Sequence, residues 1–313
     1  MELLRKLPDP GYPIEYLLSR IKGRRSRLIR DWKPLLFEPV LDESPPTDRT
    51  ADTAWRNLMT EYQWVHSQMN QGLCDSFFSF FLYTELRTIL ICLRHLVDKK
   101  TGAIDELLDR SLLSDEVKKV LLFSPDLPAA LSGIERFFTS FSDRFLGFGK
   151  ALESGGLRLV EQRLVGTYLS VMVDSDLPPL LKRFFSRIID ARNIMGLYKY
   201  LRLGFKVKPE FMSGGTISEI RLSNIMKKDD LPGVALLVRE CTGIAVERPD
   251  PTSIELALYR GMTRWLRKEG RDPFGIAPIL DYLWRCSIEA MNLSVLHHAK
   301  DLEREAVAAE LVQ

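Results

Sequence analysis

The residues in this chain that could do chemistry are few and scattered. Its four histidines are His66, His95, His297 and His298. The adjacent pair is poorly placed to share one metal ion, because neighbours on a helix of 3.6 residues per turn point about 100° apart. Asp174 and Asp176 form a close pair of carboxylates, but capping of a following helix explains them better than acid–base work. Gly147-Phe148-Gly149-Lys150 has the residue types of a phosphate loop and is too short to be one. Gly214-Gly215 has no strand ahead of it and reads as a tight turn that needs positive φ. There is no GxSxG elbow and no HExxH pair. Cys74, Cys92, Cys241 and Cys286 lie far apart with no CxxC, so they read as buried thiols in a reducing compartment. The chain is therefore read as non-enzymatic, with no metal and no cofactor.

One dense run of charge stands out instead. Arg20, Lys22, Arg24, Arg25, Arg27 and Arg30 follow one another with no acid among them. Ile14, Leu17, Leu18, Ile21, Leu28 and Trp32 predict a helix over 14–32 that would carry them. Like charges crowded on one helix destabilise it unless something outside compensates. A solvated face is the plain reading; a patch for an acidic protein surface or anionic headgroups is the functional one. Arg20, Arg24, Arg25 and Arg27 are the candidate partner-contact residues.

Composition narrows the classes. The 313 residues allow a full core and two or three domains, and a formal charge of +2 argues against a strongly basic nucleic-acid binder. The opening residues contain no apolar run of signal-peptide length. The apolar stretch 73–96 is interrupted by Asp75, Glu85, Arg87 and Arg94, which predicts that it does not span a bilayer alone. A soluble protein is expected, with any membrane association made through a partner or a surface patch.

The elements are predicted to be helices throughout. Leu180/Leu181, Phe184/Phe185, Ile188/Ile189, Ile194/Met195 and Leu201 draw one apolar stripe. Asp176 and the pair Pro178-Pro179 would start that helix, and Arg202, Gly204 and Pro209 would stop it, giving about 27 residues. Helices are expected over 54–68 and 76–99, the latter with Phe77, Phe78, Phe80 and Phe81 as core. Ser114, Asp126 and Asp230 read as N-caps, and Ser253 begins a helix to Lys268. A last long helix is expected over 272–300. Trp32 to Thr53, rich in proline, reads as a loop, as do 145–149 and 154–156. No alternating run is long enough for a central strand.

The long helices also resemble one another. Glu85-Leu-Arg87-Thr-Ile, Asp190-Ala-Arg192-Asn193-Ile and Glu289-Ala-Met-Asn292-Leu align at a spacing of about a hundred residues, as a supersecondary repeat would. Trp64, Tyr168 and Trp265 precede them at similar distances, and Asp-Leu-Pro recurs at Asp126 and Asp230. Acid and arginine two residues apart point to different sides of a helix, so they do not pair with each other. Each is expected to bond to a neighbouring helix and fix which helices meet, a structural role.

These residues carry a family resemblance. Asp190-Ala-Arg-Asn on a long helix, the turn Lys208-Pro-Glu-Phe, Gly214-Gly215 and the return Ile220-Arg-Leu form the central part. Gly11-Tyr-Pro-Ile-Glu-Tyr-Leu leads into the basic helix, and Asp272-Pro-Phe-Gly opens the last long helix, which ends in Glu303-Arg-Glu-Ala-Val. Together they resemble the C subunit of V/A-type rotary ATPases, the family that includes the eukaryotic V-ATPase d subunit. The resemblance implies an all-α chain of three similar helical units around a pseudo-threefold axis, divided near 1–110, 111–222 and 223–313, with the first helix able to pack on the last unit. It implies a non-catalytic central-stalk subunit, a socket between the rotating shaft and the membrane proteolipid ring, held on the cytoplasmic face through the complex. Hydrolysis of nucleotide and ion transport would then belong to other subunits. The alternative is an α-helical scaffold that binds other proteins or RNA through the basic helix.

Overall fold

Capping residues set where six of the helices begin. The computed structural model describes residues 2–6, 11–37, 51–98, 101–204, 208–299 and 302–312. Among the described residues there is no strand, only the isolated bridges Leu4–Leu113 and Tyr12–Met69. The chain is all-α. Its helices are α1 (Ile14–Arg25), α2 (Lys33–Phe37), α3 (Ala51–Gln68), α4 (Gln71–Val97), α5 (Thr101–Asp109), α6 (Asp115–Phe123) and α7 (Leu127–Thr139). Then come α8 (Phe148–Asp174), α9 (Pro179–Leu203), α10 (Glu219–Lys227), α11 (Leu231–Thr242), α12 (Pro251–Glu269), α13 (Ala277–His298) and α14 (Arg304–Glu310). Side-chain oxygens of Asn70, Ser114, Asp126, Ser218 and Asp230 each accept a backbone N–H of the first turn that follows. Such a cap stabilises its helix by about 1 kcal/mol.

The chain divides into two compact units. The first comprises Met1–Pro13, Gln63–Ser186 and Met212–Gly214. Its centre is α4, on which Phe77, Phe80, Phe81, Leu86, Ile89 and Leu93 are buried. Phe80 meets Phe184 at 5.8 Å and Tyr83 meets Phe185 at 5.9 Å between ring centroids. These tilted and edge-on contacts between rings add to their burial. Among the described residues α4 alone is long and apolar enough to cross a membrane, despite its charges, yet most of that stretch is buried within the unit.

The second unit comprises Ile14–Tyr62, Arg187–Phe211 and Gly215–Gln313. Helices α11, α12 and α13 pack in succession, and α1 lies on α13. Ile194, Leu197 and Tyr198 of α9 join Leu222, Val234, Leu237, Val238 and Ile254 in one core cluster. Trp32 and Leu36 form another with Ala299, Val307 and Leu311 from the far end of the chain.

Several boundaries differ from those predicted. The first helix stops at Arg25 rather than Trp32, because Arg27 N–H turns back to Arg24 C=O and Ile29 N–H bonds to Glu289 instead of continuing the ladder. Residues 154–156 lie inside α8 and form no loop; Gly156, with φ 64° and ψ −167°, only kinks it. Helix α9 starts at Pro179 and runs 25 residues, and Gly204 with φ 61° ends it as expected. In α12 the cap is Asp250, while Ser253 closes the capping box from within. Helix α13 begins at Ala277, after a turn in which Phe274 N–H bonds to Asp272. The predicted loop over 32–53 contains α2 and the start of α3, and residues 38–50 lie outside the described residues.

Candidate partner interface and its carboxylate anchors

The three acids of the repeat share one job. Glu85, wholly buried on α4, accepts the N–H of Leu112 at 2.6 Å and the hydroxyl of Ser111 at 2.8 Å. Asp190 on α9 accepts the N–H groups of Thr216 (3.1 Å) and Ile217 (3.0 Å) and the hydroxyl of Thr216 (2.6 Å). Glu289 on α13 accepts the N–H of Ile29 at 3.1 Å. Each carboxylate thus grips the backbone of a connecting segment rather than a charged side chain. Leu112 and Ile217 come just before the N-cap serines Ser114 and Ser218, so two of the grips fix the entry to the next helix. Burial pushes the carboxyls of Glu85 and Glu289 above the usual range, and the N–H donors pull them back in part.

The rest of the repeat signature falls on different surfaces. Arg87 and Arg192 are exposed. Asn193 is buried. Asn292 is buried too, and bonds the backbone of Val312 in both directions, through its Nδ2 at 2.8 Å and its Oδ1 at 3.0 Å.

Compensation for the basic helix comes from elsewhere in the same unit. Arg24 pairs with Glu61 at 2.5 Å, and Glu61 also accepts the hydroxyl of Tyr282. Arg25 lies 2.7 Å from Asp281 Oδ2, and Arg285 lies 3.2 Å from Asp281 Oδ1. Asp281 is wholly buried, and its Oδ2 faces Arg25 outside hydrogen-bonding directions, so the contact there is mainly one of charge. Arg20 and Arg27 are exposed, with the Arg20 guanidinium 5.7 Å from the Tyr16 ring centroid. Glu61 and Asp281 were not singled out in the sequence. An acid inside the apolar run Ile279-Leu280-Asp281-Tyr282-Leu283 was the available signal for one of them.

No group of three or more His, Cys, Asp or Glu that could hold a metal ion occurs among the described residues. All four cysteines are free, and burial pushes the thiols of Cys74 and Cys241 up to about 11 and that of Cys92 to about 12. Such thiols are poor nucleophiles. What the surface does offer is large apolar side chains set among charges: Phe274, Ile220 and Leu302 in the second unit, Phe123 in the first.

The comparison with known families is specific. No match is found among curated proteins. The model of the family described as "ATP synthase (C/AC39) subunit" matches residues 25–306. That span holds all three acids of the repeat and the segments they grip. The family is that of the V/A-type ATPase C and d subunits, non-catalytic components of the stalk of a rotary, membrane-associated complex. The chain belongs to the ATP synthase (C/AC39) subunit family.

Proposed function

We propose that this protein is the socket that links the rotating shaft of a V/A-type ATPase to its membrane proteolipid ring. The family match over 25–306 carries the proposal. The carboxylate grips support it physically. A part that transmits torque must not yield internally, and buried acids bonded to backbone N–H groups tie segments to long helices at points where packing alone would let them slide. The three look-alike helices support three related units around a common axis. The work of ion transport is divided accordingly: this chain couples rotation, and other subunits hydrolyse nucleotide and move ions. It sits on the cytoplasmic face through the complex.

Arg20, Arg24, Arg25 and Arg27 form part of the surface that meets a partner subunit. Arg24 and Arg25 also serve the unit's interior, so Arg20 and Arg27 are the pair to test. Co-purification from membranes, with identification of the accompanying subunits, is the deciding experiment. Shaft and ring subunits are expected with the wild-type chain and in reduced yield with Arg20→Glu/Arg27→Glu. Recovery of the chain with no rotary ATPase subunit would overturn the socket. Salt-sensitive retention of RNA in its place would favour a scaffold that works through the basic helix.

A further inference from the structure

A cavity of about 520 Å³ opens in the second unit where the end of α1 meets α12 and α13, and its walls include Arg25, Arg30, Arg267, Arg285, Glu289 and Trp32. Small-molecule sites commonly fall between about 300 and 1,000 Å³. Four guanidinium groups around one cavity repel one another, and the nearby acids answer only half of that charge. Asp281 is shared between Arg25 and Arg285, and Glu289 is committed to Ile29 N–H. Among the described residues neither Arg30 nor Arg267 has a carboxylate within ion-pair distance, and both are exposed.

We propose that this cavity binds a phosphomonoester, with the guanidinium groups of Arg30 and Arg267 on its phosphoryl oxygens and Arg25 and Arg285 supporting them. A phosphomonoester brings about −1.5 to −2 charge and three acceptor oxygens near neutral pH, enough to engage several guanidinium forks at once. A carboxylate brings one charge and two oxygens. The cavity is larger than a phosphoryl group needs, and Trp32 with Ile288 gives the remainder of the ligand an apolar wall. Glu289 supplies an acceptor for a ligand hydroxyl. The repulsion is already felt within the free protein: burial lowers the affinity of Arg25 for its proton, Asp281 restores it, and Arg285, Arg267 and Arg30 each lower it again. An anion in the cavity would relieve that repulsion.

The ester can come from a soluble metabolite or from a lipid headgroup, and two measurements on the full chain separate these. In the first, melting is followed with millimolar inorganic pyrophosphate and with sodium chloride at the same ionic strength. A rise of about 3 °C or more in pyrophosphate is expected for the wild type, with most of that rise lost in Arg30→Gln/Arg267→Gln. In chloride the double variant should melt no lower than the wild type, because it loses repulsion and no ion pair. Equal shifts in both proteins, or no shift in either, would overturn the site. In the second, the chain is pelleted with phosphatidylcholine vesicles that contain phosphatidic acid. Pelleting that the double variant loses assigns the headgroup; no pelleting, or pelleting that the variant retains, assigns the soluble ester.

Discussion

Gly215 stands so close to Asp190 that a Cβ at position 215 would collide with the carboxylate oxygen Oδ1. The same carboxylate accepts the N–H groups of the next two residues, so the chain wraps the acid with no room to spare. Replacing Gly215 by alanine should push the loop off its anchor and cost about 2 kcal/mol, in the range of an overpacked buried site. Asp190→Asn should cost a similar amount, because the donors of Thr216 and Ile217 are aimed at different oxygens and the amide NH2 that replaces one of them cannot accept. Urea denaturation of the two variants would check this. A Gly215→Ala protein as stable as wild type would mean that the grip is looser than described.

Asp281 gives a sharper contrast between buried and exposed charge. Its carboxylate is buried between Arg25 and Arg285. Asp281→Asn should cost about 3 kcal/mol, since it leaves two guanidinium groups without their acid. Arg27→Gln, on the exposed side of the same basic run, should change stability by no more than about 0.5 kcal/mol. The difference between their urea midpoints is the quantity to measure.

His66 should shape the acid limb of the stability curve. It is buried edge-on to Phe81, its Nδ1 has no hydrogen-bond partner, and burial, assisted by Arg5, lowers its affinity for a proton to a value of about 4. Its pKa is depressed on folding, so its contribution is fully present above the unfolded value near 6.5 and is lost as pH falls toward 4. The loss amounts to about 3 kcal/mol over that window. His66→Phe should be no less stable than wild type at pH 4 and should show a flatter profile between pH 6.5 and 4.

Glu289 acts in the opposite sense. Burial raises its carboxyl above the usual range, so its contribution is greatest below the unfolded value near 4.5 and declines as pH rises through the folded one. Glu289→Gln keeps an oxygen for Ile29 N–H and cannot ionise. Its stability relative to wild type should therefore improve as pH is raised from 4 to 7, a trend that melting at a series of pH values would reveal.

Three helix starts were legible in the sequence because capping chemistry is local. Ser114, Asp126 and Asp230 all cap where their positions indicated. Gly156 misled because a glycine with positive φ can bend a helix as readily as end it. The end of α1 was illegible for another reason: the acid that takes Ile29 N–H lies at the other end of the chain. The repeat was visible as aligned acids, but their partners were not, since a backbone N–H carries no residue identity. Likewise the basic run showed its charge and concealed that Glu61 and Asp281 come from distant helices to meet part of it.

At positions 112, 217 and 29 the carboxylate grips recognise a peptide N–H, while Ser111 and Thr216 each add a hydroxyl beside it. At these three positions the bond itself depends on the backbone and not on the side chain, which packs elsewhere. The single substitution they forbid outright is proline, which has no hydrogen on its nitrogen to give. A mechanical linkage of this kind holds a joint still through a hydrogen that every residue but proline carries.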